Sequence, residues 1–243
     1  MLRGGPEGPM RYLFHQGLGN VARSIRFLVL GLCLIPGGGV AAQQEVVIVD
    51  FGQERDAVPR EWELSETEGK ADLALVMDGS GPVLRLRSKS TSFGFQKEVT
   101  IDLKQTPILQ WEWKVTKLPK GGDFRRSAWD DQAAQLYVMF SPDIMRTEVI
   151  GYIWDSTAPK GTMAEPQFPP VYPFLCIKMV VVESGDAEKG KWITVTRNVL
   201  EDYKKLFGGN PDEISGIRIQ INSQHTKSQA EAYWRYVKAK ARP

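Results

Sequence analysis

The sequence predicts an all-β chain, mainly antiparallel, folded as a jelly-roll-like β-sandwich with one short crossover helix near residues 198–207. Three observations carry that expectation. Short segments of alternating apolar and polar residues recur from Val46 to Val237, with Gly/Pro-marked turns between them. Only residues 198–207 show a convincing helical period. About 200 residues remain once an N-terminal leader is set aside, enough to bury a sandwich core without other help.

In chain order, Val46-Val47-Ile48-Val49 reads as an opening strand closed by Asp50 and Gly52. Residues 60–64 alternate, with Trp62 and Leu64 on one face. Residues 71–77 and 83–87 flank the turn Asp78-Gly79-Ser80-Gly81-Pro82, and residues 95–103 resume alternation through Val99, Ile101 and Leu103. A strand over residues 109–115 puts Leu109, Trp111, Trp113 and Val115 on one face. Because that face is wholly apolar, the two tryptophans read as core, the alternative being a sugar-stacking platform. Residues 135–140 and 149–154 are further strands, the second with Ile150, Tyr152 and Trp154 sharing a face. Residues 157–173 contain five prolines and read either as a lid or as an extended cover for a sheet edge. Residues 177–182 are apolar except for Lys178, and residues 191–196 are expected to pair with them as a hairpin. Asn198 can cap a helix with Glu201 three residues on, and Val199, Tyr203, Leu206 and Phe207 form its apolar stripe before Gly208-Gly209 ends it. Residues 217–221 alternate strictly. Residues 232–237 close the fold as an aromatic strand, and the basic residues 236–242 (Lys238, Lys240, Arg242) read as a solvated terminal strand, the alternative being a polyanion patch.

The N-terminus is expected to be a cleaved signal peptide over residues 1–42. Arg23 and Arg26 precede a nine-residue apolar run, and Val40-Ala41-Ala42 offers small residues before Gln43. A spanning helix needs about 20 residues, so no transmembrane segment is expected after processing. The location implied is periplasmic or extracellular. Removing the leader takes four of 31 basic residues and one of 29 acids, leaving 27 against 28. A near-neutral domain gives no reason to expect nucleic acid. Only Cys176 remains in the processed chain, so the core must hold the fold without an intrachain disulfide.

The stretch from Trp111 to Phe140 concentrates the chemistry. Two aromatic strands flank a Gly/Lys/Arg loop carrying Trp129 beside Asp130 and Asp131. Adjacent acids diverge, so one is expected to face a ligand while the other orders the loop; the plainer alternative is that both cap the turn. The sequence lacks a P-loop, a dinucleotide fingerprint and a zinc-protease motif. Ser184 stands in Val-Glu-Ser-Gly-Asp, short of a nucleophile elbow, and His225 is the one histidine beyond the leader. No cofactor is expected, with calcium on Asp130 and Asp131 the one metal the residues allow.

The segment Asp130-Asp131-Gln132-Ala133-Ala134-Gln135-Leu136-Tyr137-Val138-Met139-Phe140 is followed by Tyr152-Ile153-Trp154, Glu183-Ser184-Gly185, Trp192, Arg197-Asn198-Val199, Asp202-Tyr203, Phe207-Gly208 and Ile214-Ser215-Gly216-Ile217. This ordered set resembles a family of exported bacterial proteins known only as a domain of unknown function, family 3047. The resemblance spans roughly Trp62 to Val237. It implies a β-sandwich and an exported location, with no established activity. Where such sequences carry an Asp-Thr-Asp-like run, this chain has Asn222-Ser223-Gln224-His225-Thr226, so both acids are replaced by groups suited to neutral hydrogen bonding.

The expectation is a non-catalytic module for carbohydrate or another polyhydroxylated ligand, with Trp129, Asp130, Asp131, Tyr152, Trp154, Glu183 and Arg197 as ligand-binding candidates and no catalytic residue assigned. Two alternatives stand beside it. One is a glycan-active hydrolase using a carboxylate pair, drawn from Asp130, Asp131, Asp155 and Glu183. The other is a structural or accessory subunit docking an envelope protein partner.

Overall fold

The computed structural model describes residues 45–143, 146–167 and 174–242; the leader and Phe168, Val171 and Tyr172 of the proline-rich stretch lie outside them. Within that range the strands are β1 Glu45–Asp50, β2 Glu63–Glu68, β3 Asp72–Asp78, β4 Gly81–Lys89, β5 Ser92–Asp102, β6 Ile108–Lys117, β7 Ala134–Asp143, β8 Arg146–Asp155, β9 Met163–Ala164, β10 Leu175–Ser184, β11 Ile193–Asn198, β12 Glu213–Asn222 and β13 Gln229–Lys240. One helix, α1 Val199–Phe207, falls between β11 and β12. The strands make two facing sheets. The six-stranded one runs β11-β6-β13-β4-β3, with β1 also on β13, and the seven-stranded one runs β2-β5-β12-β7-β8-β10-β9. Pairing is antiparallel except between β8 and β10. The fold is the expected β-sandwich.

Alternation explains the core. Leu109, Trp111, Trp113 and Val115 of β6 and Ala232, Trp234 and Val237 of β13 meet Leu136, Val138, Tyr152, Trp154, Ile217, Ile219 and Ile221 of the opposite sheet. Trp113 is the centre, edge-to-face with Trp111 (5.5 Å) and Trp234 (5.1 Å) and 6.2 Å from Trp154 across the sandwich. The apolar reading of the β6 face therefore holds, and the sugar-platform alternative does not, because both β6 indoles are fully buried.

The helix forms where its capping signals lie. Asn198 accepts from the Glu201 amide (3.2 Å) and donates to its carboxylate (2.8 Å). Gly208 ends the helix at φ 81°, a left-handed value that favours glycine. The helix carries the chain from the edge of one sheet into the middle of the other.

Two expectations are corrected. Residues 191–196 do not form a hairpin with β10. After the turn at Ser184 the chain changes sheets, and β11 pairs with β6, where Val195 packs into the core. Nor is the terminal strand solvated on both faces. β13 sits inside the six-stranded sheet between β6 on one side and β4 and β1 on the other, with Val237 and Ala239 fully buried. Its lysines reach outward, Lys238 and Lys240 both meeting Glu45. Of the proline-rich stretch, residues 161–164 cover the sheet edge by running along β10, with β9 paired to it. Among the described residues no helix is long and apolar enough to cross a membrane.

Trp113→Ala should lower stability by about 3–5 kcal/mol, the usual cost of removing a fully buried large aromatic side chain. Urea denaturation checks this, and a loss below 1 kcal/mol would show that the aromatic cluster does not join the sheets.

Candidate functional site

β12 lies between β5 and β7 in the seven-stranded sheet. With its isoleucines turned to the core, alternation sends Arg218, Gln220 and Asn222 to the outer face. Strand pairing sets Arg218 beside Gln96 and Tyr137, and Gln220 beside Gly94 and Gln135. These side chains form one hydrogen-bonded row. Arg218 donates from Nε to Gln220 (2.7 Å) and from Nη1 to Gln96 (3.2 Å). Gln135 accepts from Gln220 (3.4 Å) and the Tyr137 hydroxyl (2.6 Å), and donates to Asn222 (2.6 Å). Asn222 Oδ1 also accepts from the Gln132 amide (2.7 Å), while its Nδ2 donates to the Asp130 carbonyl (2.7 Å). Gln132 closes the row by donating to the Asp130 carboxyl (2.9 Å). Gln96, Tyr137 and Gln220 are half-buried, whereas Gln135 and Arg218 are almost fully covered.

The loop over residues 118–133 borders one end of this row as it passes from the six-stranded sheet into β7. It is held by acids that accept main-chain amides. Asp131 takes the amide of His225 (3.2 Å) and both the amide (2.6 Å) and hydroxyl (2.7 Å) of Thr226. Asp155 takes the amides of Phe124 (3.0 Å), Thr157 (2.8 Å) and Ala158 (2.7 Å). Gly122 passes so close to the Asp131 carbonyl that a Cβ there would lie 2.2 Å from it. The loop thus presents Trp129, 38% exposed, beside the Arg126 guanidinium at 4.9 Å.

Electrostatics separate the two adjacent acids. Burial pushes the Asp130 carboxyl up to about 7, only partly opposed by the Gln132 hydrogen bond and by His225. Burial acts the same way on Asp131, but the bonds from His225 and Thr226 outweigh it and hold that carboxyl below its usual range. The Asp131 contact raises the His225 imidazole against the effect of burial. Since the Asp130 carbonyl can only accept, His225 Nδ1 carries the proton that bridges their 3.0 Å separation.

The sequence candidates fall into three places. Trp129, Asp130 and Asp131 stand together at the loop, with Asp131 ordering residues 225–226 and Asp130 facing the polar row. Tyr152 and Trp154 lie on the inner face, fully buried in the core, and offer no ring to a ligand. Arg197 pairs with Asp202 through two contacts (2.8 and 2.5 Å), and Asp202 also accepts from Tyr152, which fastens α1 to the sheet. Glu183 is buried and paired with Lys160 at 2.7 Å. The seven do not share one surface. Sequence reading missed Arg218, Gln220, Gln135 and Tyr137; their signal was the polar half of two alternating strands. Among the described residues no group of three or more histidine, cysteine or acid side chains is placed to hold a metal, and both Asp131 oxygens already accept main-chain amides. A separate recess of about 540 Å³ lies between the loop preceding β2 and Lys97, lined by ions of both signs including the Lys97–Glu61 pair.

A family model described as "Protein of unknown function (DUF3047)" matches residues 60–238. No curated protein matches. Among solved structures, the chain is similar to a family 11 carbohydrate-binding module of a cellulosomal cellulase from Clostridium thermocellum, at 10% identity and TM-score 0.43, covering 83% of this chain and 97% of that one. It is also similar to the carbohydrate recognition domain of Emp47p, at 12% identity and TM-score 0.44 (85% and 100% covered). A third is the xyloglucanase domain of NopAA from Sinorhizobium fredii, at 9% identity and TM-score 0.40 (71% and 93% covered).

The electrostatics set a pH dependence. Unfolded Asp130 ionises near 4, but folded Asp130 keeps its proton to about 7, so the native state binds the extra proton and stability falls as pH climbs through that interval. His225, raised on folding, adds stability below its ordinary pKa that is lost as pH passes its folded one. Asp130→Asn should flatten the fall in Tm between pH 4.5 and pH 7.5 (roughly the interval just set) and raise Tm at the upper end. An unchanged slope in thermal melts would refute the assignment.

Proposed function

Since the chain belongs to the family described as "Protein of unknown function (DUF3047)", its function is to be sought in its own surface chemistry, and we propose that it is an exported, non-catalytic module that binds a carbohydrate or other polyhydroxylated ligand on the outer face of the seven-stranded sheet. The observation that carries this is the row Gln96, Arg218, Gln220, Gln135, Asn222 and Gln132 with the Tyr137 hydroxyl. A side-chain amide offers a carbonyl acceptor and two donors, which matches a sugar hydroxyl's need to give one hydrogen bond and accept others. Small-ligand sites need only a few such groups with an apolar surface beside them. Trp129 supplies that surface, since an indole face stacks on the C–H side of a sugar ring.

Binding without turnover is supported by how the acids are used. Asp131 and Asp155 are spent on main-chain amides and Glu183 on Lys160, so none is left as the free partner that Asp130 would need for acid–base work across a glycosidic bond. Export is supported by the leader pattern over residues 1–42.

Isothermal titration against a panel of oligosaccharides tests the reading. One or more should bind, and Trp129→Ala should weaken that binding about tenfold, the scale of one lost stacking contact, while leaving Tm near the parent value because the ring is well exposed. No binding across the panel would sink the proposal, and release of new reducing ends would replace it with the hydrolase.

A further inference from the structure

Arg218 is a guanidinium inside the protein that forms no ion pair among the described residues. It is 1% exposed, yet among the described residues no carboxylate pairs with it, and its partners are the neutral carbonyls of Gln220 and Gln96. Elsewhere the fold gives its partly covered cations an acid: Arg197 has Asp202, Lys114 has Asp78, and Arg235 has Glu112. The most covered arginine is the exception. Burial pushes it down to about 10, with only smaller opposing influences from Tyr137 and Glu63, so it remains charged at neutral pH. A desolvated charge without a counter-ion is among the costlier arrangements a protein can hold.

The guanidinium also has donors to spare. Nε and one Nη1 hydrogen are used, while Nη2 donates to nothing among the described residues. The side chain belongs to the same outer face as half-buried Gln96, Gln220 and Tyr137, and its space is kept by Gly94, where a Cβ would lie 3.1 Å from Nε and 2.6 Å from the Ile219 carbonyl. A planar fork of free donors suits an oxyanion, which it can grip with two parallel bonds.

We infer that Arg218 receives an oxyanion carried by the ligand, and that the sheet face therefore selects an anionic saccharide, one bearing carboxylate or sulfate groups, over a neutral one. This rests on the reading of the same row as a saccharide site.

The test uses the full processed chain and four probes: a uronate oligosaccharide, its carboxyl-reduced neutral counterpart, a sulfated oligosaccharide of similar length, and propionate as a carboxylate without a sugar. At least one acidic saccharide should bind about tenfold or more tightly than the neutral counterpart; the uronate and sulfated arms identify the oxyanion. Arg218→Gln should abolish the preference, and Arg218→Lys, which keeps the charge but loses the fork, should retain part of it. Without ligand, Arg218→Gln should melt no lower than the parent, because it removes an unpaired buried charge. Equal binding of acidic and neutral saccharides would overturn the inference and spare the carbohydrate reading. Propionate binding as tightly as either saccharide would overturn the carbohydrate reading and spare the oxyanion site. A ligand-free Arg218→Gln protein that melts well below the parent, or fails to fold, would overturn the inference by making the guanidinium a structural group.

Discussion

Side-chain amides taken out of water must find their partners inside the protein, and the outer face of the seven-stranded sheet is organised by that demand. Asn222 is its junction. Its carboxamide accepts from Gln135 on β7 and from the Gln132 main chain, and donates to the Asp130 carbonyl, so one residue joins a strand end, a neighbouring strand and a loop. An apolar residue there would leave several buried groups unpaired at once. Asp131 meets the same demand from the other side by accepting the main-chain amides of His225 and Thr226. The position of Trp129 follows from these bonds together with the loop's own, in which the Trp129 carbonyl accepts the amides of Asp123 (2.7 Å) and Asp131 (2.8 Å) and its amide donates to the Arg126 carbonyl (2.7 Å).

The inner face fixes which residues reach the outer one. Ile217, Ile219 and Ile221 pack into a core that includes Trp113, Trp154 and Trp234, and the period of two then turns Arg218, Gln220 and Asn222 away from it. A one-residue slip of β12 would drive the guanidinium among the aromatic rings and expose three isoleucines, so register is strongly specified. The apolar core thus positions the polar site without touching a ligand. Helix α1 contributes in the same way: Arg197 and Tyr152 both hold Asp202, which anchors the crossover that delivers the chain into β12.

What the sequence reveals and conceals divides along a physical line. Periodicity and capping are local, so the faces of β6 and β12 and both ends of α1 could be read from residues near one another in the chain. Strand partnership is not local. Nothing in Trp192 or Val195 says that β11 leaves β10 for the opposite sheet, and nothing in the basic tail says that β13 runs through the middle of its sheet. The site suffered from the same limit. Tyr152 and Trp154 do share a face, but alternation cannot say whether a face is inner or outer, so core aromatics read the same as ligand-facing ones. Gln135, Arg218 and Gln220 read as ordinary solvent-facing polar positions because their burial depends on strands and loops far away in sequence. Asn222 marks the boundary case: residues 222–226 stand out in the sequence, but only the fold shows their bonds to the loop carrying Trp129.

Among the described residues, buried polar atoms without a partner include Arg85 Nε on the six-stranded sheet and Ser65 Oγ on β2, but most fall in two groups, and the difference between those groups bears on function. In the core, the indole nitrogens of Trp111, Trp113 and Trp234 lack acceptors, but they lie in an edge-to-face aromatic array whose ring faces are themselves weakly attractive to donors. The packing there accounts for itself. On the outer face, among the described residues, no carboxylate pairs with the Arg218 charge and the side-chain carbonyls of Gln132 and Gln224 have no donor, with no aromatic array to compensate. Sequences that fold well usually satisfy such groups, and exceptions concentrate where another molecule completes the set. Unused donors at Arg218 and unused acceptors at Gln132 and Gln224 are complementary to a ligand rich in both oxyanions and hydroxyl groups, and they belong to the same polar row and the loop ends it joins. The incompleteness of the folded chain is therefore what supports the proposed ligand.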